Sequence, residues 1–400
     1  MLPGIEEEAK RFYSELDIEV PVVRNPFIHS EQITSWTKKF EIFVGFIVLF
    51  PIRLLATILV FLFAGLWCFI TIVGWNPPDL RTPLSPWRRW MKDCLPFIVR
   101  SMLFALGFHK VRIKGKLASP SEAPVAVIAP HSSFLDILLL SEYGSAPSGI
   151  SKMENLKSPF LGGFFQCLEC IGVSRDDTKS RRSAVKELQY RTTTARGQWP
   201  HMCIFPEGTC TNRKSLISFK PGAFIPGCPV QPVCLHFSLL IYVCTKVCLL
   251  NFCYLCCVRL MLAVLLMCQV SNEAEVEFLP VWNPTEEEKK NPKLYAEHVQ
   301  KFMARCLNLP VTGHSFEDTL LMAAAVKHGL PPEAGIIEFK VTAGKLGINL
   351  DCVKEHLKRF VVLDSDKDGR ISLKDFAMHY KLPLSSPVKE LFSIFDRVRL

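Results

Sequence analysis

From Ile42 to Trp75 the chain is apolar almost without interruption, broken only at Pro51-Ile52-Arg53. Leu54 to Trp75 alone is long enough, as a helix, to cross a hydrocarbon core of about 30 Å. A cleavable signal would start near Met1 with a short apolar core. Here a polar, acidic stretch of about forty residues comes first, so the run reads as a retained membrane anchor. Lys38 and Lys39 precede it, and Arg81, Arg88, Arg89 and Lys92 follow. The positive-inside rule draws both flanks to the cytosolic side, which favours a re-entrant hairpin bent at Pro51 over a single span. Cys94 to Phe108, with Arg100 inside it, reads as an interfacial helix leading into the next domain.

Composition agrees with a lipid setting. The chain is 49% hydrophobic with a mean hydropathy of +0.22, too apolar for an ordinary soluble enzyme. A net charge of +9 suits either nucleic acid or an anionic membrane surface. There is no finger spacing, recognition signature or long basic tract, so the expected partner is the membrane and not nucleic acid. The 16 cysteines are scattered through apolar runs, which reads as buried, reduced thiol rather than a disulfide framework. The pairs Cys167/Cys170 and Cys253/Cys256 lack the second pair or histidine cluster that zinc requires.

From Pro124 to Val233 the pattern alternates. Val125 to Ala129, Cys170 to Ser174, Met202 to Phe205 and Val230 to Leu235 read as strands, and Ser180 to Arg191 reads as a basic helix. The expected fold is an α/β domain behind an N-terminal membrane helix or hairpin, with a small helical module at the end. The expected boundaries are 1–41 (polar segment), 42–75 (anchor), 94–295 (α/β domain) and 335–400 (C-terminal module). Past Glu273 the pattern reads as helical throughout.

The chemistry centres on His131-Ser132-Ser133-Phe134-Leu135-Asp136 and Phe205-Pro206-Glu207-Gly208-Thr209. Ala129-Pro130 closes a strand before His131, and Ser132 or Ser133 suits the N-cap of a following helix. His131 then lies off the helix and folds back on Asp136, which gains from the positive end of the helix dipole. A histidine backed by a carboxylate is a general base. Glu207, Gly208 and Thr209 offer a carboxylate, a close backbone approach and a hydroxyl to an acceptor.

Gly172-Val173-Ser174-Arg175, the Phe205 to Cys210 run and Pro229-Val230-Gln231-Pro232-Val233 follow in order. With these motifs the chain resembles the glycerolipid acyltransferase superfamily. Asn25-Pro26-Phe27-Ile28-His29, Thr209-Cys210-Thr211-Asn212, Phe219 to Phe224 and Glu275 to Pro280 make it similar to the lysophosphatidylcholine acyltransferases that carry EF-hands. The resemblance covers about Arg24 to Leu382. It implies a membrane-bound enzyme, placed at the endoplasmic reticulum with its site facing the cytosol, the Golgi or lipid droplets being the alternatives, that transfers an acyl group from acyl-CoA to a lysophospholipid without an organic cofactor. It makes His131 the base and Asp136 its orienter. Glu207, Gly208 and Thr209 would shape the acceptor site, with Arg175, and more weakly Arg213 and Lys220, binding phosphate. Pro229 to Val233 would build the site wall. Many relatives have arginine where this chain has Cys210, which weakens preference for an anionic headgroup. Phosphatidylcholine is the expected product, lyso-PAF acetyl transfer a second activity. The alternatives are a 1-acylglycerol-3-phosphate acyltransferase and a non-catalytic calcium-responsive membrane adaptor.

Asp364-Ser365-Asp366-Lys367-Asp368-Gly369-Arg370-Ile371-Ser372-Leu373-Lys374-Asp375 fits an EF-hand loop. Asp364, Asp366, Asp368, Arg370 through its backbone carbonyl and Asp375 are the candidate Ca²⁺ ligands. Asp375 is one methylene shorter than the usual glutamate, and Leu391 to Asp396 only begins a second loop, so weak binding is expected. Between about His236 and Met261 the family pattern lapses into Leu-, Val- and Cys-rich sequence with Lys246 and Arg259 inside it. That stretch reads as a poor span, an interfacial helix or the product of an unusual transcript. Together with the Arg397-Val398-Arg399-Leu400 ending, it raises the expectation of an altered isoform.

Overall fold

The computed structural model describes residues 25–27, 35–75, 82–133, 135–142, 146–159, 161–174, 177–237 and 253–395. Arg175 and most of the Cys-rich stretch after Phe237 lie outside them.

Seven strands form one sheet: β1 (Lys110–Lys114), β2 (Val125–Ala129), β3 (Ser148–Lys152), β4 (Ile171–Val173), β5 (Met202–Ile204), β6 (Val230–Phe237) and β7 (Glu273–Phe278), in the order β1-β7-β6-β2-β5-β3-β4. Neighbours from β6 to β4 are parallel. β7 runs antiparallel to β6 and parallel to β1. All five residues of β2 are buried, as an apolar, largely β-branched run between two parallel neighbours must be. One side of the sheet packs on the helix Pro292–Leu307, through Tyr295, Val299 and Met303. The other packs on Leu103, Leu135, Leu139 and Leu266.

The four expected strands are present to within a residue or two, and the basic helix is Thr178–Gln189, capped by Asp177. β7 corrects the expectation of helix throughout after Glu273. Its Ala274, Val276 and Phe278 alternate inward while three glutamates point outward, a period of two that the sequence carries and that the expectation of helix passed over. β1, at the sheet edge and mostly exposed, carries too little apolar residue to stand out.

The hairpin expected at Pro51 is also corrected. Trp36–Ile72 is a single helix of 37 residues that passes through Pro51, and it is long and apolar enough to cross a membrane. Proline removes one helical hydrogen bond and crowds the preceding turn, but this helix is held on both sides of it. Gly45 lies against the Cys268 carbonyl, Phe50 and Leu54 join the core, and Trp67, Cys68 and Ile72 pack with Phe164 and Leu168. Arg53 has a structural use. Its guanidinium donates to the carbonyls of Met267, Gln269 and Val270, closing the end of the helix Cys253–Cys268. The opposite face exposes Leu55, Leu59, Leu62, Phe69 and other apolar residues. Leu95–Ala105 is a helix as expected, with Phe97 and Phe104 exposed.

At the C-terminal end, the helices Leu350–Leu363 and Leu373–His379 flank the acidic loop, and Leu357 packs with Ala325 and Leu330.

Candidate active site

His131 emerges just past the carboxyl end of β2, and Glu207 just past that of the neighbouring β5. In open α/β sheets the carboxyl ends of the strands are where ligands bind. The helix Leu135–Ser141 starts after His131, leaving the histidine free to turn back, and His131 Nδ1 donates to Asp136 Oδ2 at 2.7 Å. Asp136 is fully buried, and the same oxygen accepts the backbone N–H of Ser132 at 2.7 Å and of Ser133 at 3.1 Å. The carboxylate therefore both caps the helix entry and fixes the ring. The ring of His131 lies 4.1 Å from that of Phe205, centroid to centroid, which closes one of its faces. Burial opposes charge on the imidazole, but the bonds to Asp136 and Cys210 outweigh it and lift its pKa to about 10.

Glu207 faces inward. Its Oε2 accepts the His131 backbone N–H at 2.7 Å and its Oε1 that of Ile217 at 3.3 Å. Complete burial pushes its carboxyl up to about 7, with those two N–H groups pulling the other way. Gly208 has φ +69°, and a Cβ there would come within 3.2 Å of Lys220 Cε. The turn thus needs glycine for its conformation, since the flexible Lys220 side chain could move aside from a Cβ. Thr209 is half-buried on the turn. Thr211 donates its backbone N–H to the His131 carbonyl at 2.7 Å, and Asn212 holds the 25–27 segment through the carbonyls of Pro26 and Asn25. The Ser132, Ser133 and Thr211 backbone contacts are not visible as side-chain chemistry in a sequence.

The expected phosphate binders differ in placement. Arg213, buried and at φ +63°, reaches Ser132 Oγ at 3.3 Å and stacks on Phe237, so it belongs to the His131 neighbourhood. Lys220 borders Gly208 but also lies 3.6 Å from Glu317 and over the ring of Phe316. Arg175 follows β4, which is separated from β2 by β5 and β3, and is itself outside the described residues. In the Pro229 to Val233 run, Gln231 is structural: its amide joins Ala118, Lys116 and Leu279.

In the acidic loop, oxygens of Asp364, Asp366 and Asp368 lie within 4.8 Å of one another. Asp364 is buried, and its Oδ1 has no hydrogen-bond partner while Oδ2 accepts Gly369 N–H. An orphaned buried carboxylate oxygen beside two other carboxylates fits a hard divalent cation. Asp375 is engaged elsewhere. It bonds Ser365 Oγ and caps the next helix through Ser372, and these bonds hold its carboxyl down at about 2.

A buried carboxylate orienting a histidine at the end of a central strand, beside a tight Glu-Gly-Thr turn, is an arrangement able to support acid–base chemistry. The Acyltransferase family model matches residues 110–236, which contain this whole site. Lysophosphatidylcholine acyltransferase 2 of Mus musculus is 41% identical over 380 residues, covering 94% of this chain and 68% of the relative. The Homo sapiens form is 42% identical over 379 residues, with the same coverage of each. Lysophosphatidylcholine acyltransferase 1 of Rattus norvegicus is 38% identical over 379 residues, covering 94% of this chain and 69% of the relative. The chain belongs to the lysophosphatidylcholine acyltransferase family and is an acyltransferase.

Proposed function

We propose that the protein transfers the acyl group of acyl-CoA to the free hydroxyl of a lysophospholipid in the membrane, with lysophosphatidylcholine as the main acceptor and phosphatidylcholine as the product. The observation that carries this reading is the 2.7 Å bond between His131 and Asp136 at the carboxyl end of β2. His131 removes the hydroxyl proton as the oxygen attacks the thioester carbonyl, and Asp136 stabilises the imidazolium. Coenzyme A leaves as its thiol after protonation. Glu207 positions the His131 loop from behind rather than touching the acceptor, and Gly208 and Thr209 line the approach. Among the described residues Arg213, whose guanidinium reaches Ser132 Oγ, stands beside the dyad as the candidate for a substrate phosphate, with Arg175 and Lys220 further candidates. Cys210 in place of a fixed cation supports a zwitterionic over an anionic acceptor.

The membrane of residence in this reading is the endoplasmic reticulum, with the site facing the cytosol, supported by the larger number of basic residues, Arg81, Arg88, Arg89 and Lys92, on the catalytic-domain side of the apolar helix. Asp364, Asp366 and Asp368, with the Arg370 carbonyl, would hold Ca²⁺, which would supply cross-linking charge to an EF-hand-like loop. The test is transfer of labelled acyl groups to a panel of lysophospholipids by isolated membranes. Transfer to lysophosphatidic acid in clear preference to lysophosphatidylcholine would overturn the acceptor assignment, and no transfer to any would overturn the activity.

A further inference from the structure

Helical spacing sets Ile52, Arg53 and Ala56 on one stripe of the apolar helix Trp36–Ile72, and Arg100, Ser101 and Phe104 on one stripe of the helix Leu95–Ala105. The two stripes wall a cleft of about 640 Å³, with His109 beside them. The small side chains of Ala56 and Ser101 leave the space, and the volume suits a single small ligand or lipid chain. At the rim Ile52 is 67% exposed and Phe104 59% exposed. Ile52 shares its face with the exposed Leu55 and Leu59, so the cleft opens on the lipid-facing surface.

Its walls are apolar, but two fixed cations converge in it. Arg53 donates to the carbonyls of Met267, Gln269 and Val270, and a terminal nitrogen of its guanidinium lies 3.3 Å from His109 Nε2. Arg100 donates to the carbonyls of Phe108 at 3.0 Å and His109 at 2.7 Å. Carbonyl dipoles hold both groups in direction without cancelling their charge. Arg100 has one carboxylate partner, Glu142 at 3.3 Å, and Arg53 has no ion pair among the described residues. An arginine within an apolar membrane helix is costly until an anion joins it. Through a rim that faces hydrocarbon, the anion that can arrive is the phosphate of a lipid, and basic pockets between membrane helices take anionic headgroups.

We propose that this cleft holds one anionic phospholipid as a bound ligand that is not transformed, its phosphate on Arg53 and Arg100 beside His109 and an acyl chain against Ala56 and Ser101. None of these residues belongs to the His131–Asp136 pair or to the Glu207 turn, and the proposal stands apart from the acyl-transfer reading. A guanidinium can meet a phosphate through two hydrogen bonds. Phosphatidylcholine carries the same phosphate, but its ammonium would be brought up to a site already positive, so it is the weaker ligand. The bound lipid would join the apolar helix to Leu95–Ala105 and, through Arg53, to the end of Cys253–Cys268.

The test uses the detergent-solubilised full chain, freed of lipid, and phosphatidylserine with a photoactivatable group on one acyl chain, the adducts being mapped by peptide mass spectrometry. Labelling should saturate at one lipid per chain in the peptides that carry Ala56 and Ser101. Phosphatidylcholine with the same group should need about tenfold more lipid, and Arg53→Gln and Arg100→Gln should each weaken phosphatidylserine about tenfold. Since either arginine also ties backbone, Ser101→Trp is the cleaner variant: it fills the cleft, keeps both cations and should remove saturable labelling while the lipid-free melting temperature holds. The comparison of the two lipids on the unmodified chain needs no variant at all. Equal labelling by both lipids would overturn the proposal and make the cleft ordinary lipid-facing surface. Labelling unchanged in a folded Ser101→Trp would place the lipid elsewhere. Displacement by lysophosphatidylcholine would also overturn it, making the cleft part of the acceptor site.

Discussion

The backbone N–H of His131 donates to Glu207 Oε2 at 2.7 Å, so the turn after β5 holds the loop after β2 through a carboxylate with no exposed surface. Both Glu207 oxygens accept a backbone N–H, the second from Ile217. Glu207→Gln must set an amide NH₂ against one of those donors, costing about 1–3 kcal/mol of stability. A displacement of His131 on the order of 1 Å would lower turnover about 10²-fold. Thermal unfolding and initial rates check this. A wild-type kcat in Glu207→Gln would show that the carboxylate does not set the position of the base.

His131→Ala should lower acyl transfer by about 10² to 10⁴ while the protein stays folded in the membrane. Asp136→Asn should be impaired comparably. Its amide oxygen can still accept the Ser132 and Ser133 N–H groups, but a neutral group cannot stabilise the imidazolium. Undiminished transfer in either variant would remove the proposed mechanism.

A base acts only when it is unprotonated. With His131 raised to about 10, its neutral fraction grows as pH rises from 7 toward 10, and transfer should climb along that limb. Cys210 is one of the groups that raise it, so Cys210→Ala should move the limb to lower pH. The linkage to stability runs the other way. A pKa raised above the usual 6.5 contributes stability that is fully present below 6.5 and fades as pH climbs through about 10. pH–rate profiles of both proteins, with denaturant midpoints at each pH, test the two signs separately.

Local pattern made the central strands legible. Val125–Ala129 is a short, unbroken, largely β-branched apolar run closed by Pro130, which suits a strand buried on both faces. The dyad was legible too, because His131 and Asp136 straddle a helix start. Glu207 was visible as a residue, but its inward direction depends on β5 lying beside β2, a long-range pairing that no local window contains. The same holds for Pro51. In isolation it argues for a bend, whereas the packing of Phe50 and Leu54 into the core, with Gly45 against Cys268 and Trp67 against Phe164, holds the helix on both sides of it.

That packing separates the two faces of the apolar helix. Leu55, Leu59 and Leu62 are all more than half exposed and follow helical spacing. Changing all three to Asp should weaken membrane attachment, each buried leucine being worth about 1.5–3 kcal/mol. The variant should appear in the alkaline carbonate supernatant in folded form. Leu54→Asp, on the core side, should instead unfold the domain. If the triple variant remains wholly in the pellet, attachment rests on another surface.

Calcium should bind weakly at the acidic loop, with a dissociation constant of about 10⁻⁴ M or higher. Asp364, Asp366 and Asp368 converge, but Asp375 spends its carboxylate on Ser365 and Ser372 instead of turning toward them. A glutamate at 375 is one methylene longer and can reach inward, so Asp375→Glu should tighten binding about tenfold. Asp364→Ala removes the buried oxygen that lacks a partner and should abolish binding. Calorimetry on the detergent-solubilised full chain separates the cases. Equal affinity in the unmodified protein and Asp375→Glu would show that the twelfth position is not a ligand, and titration without heat in all three would make the loop a purely structural joint between its two helices.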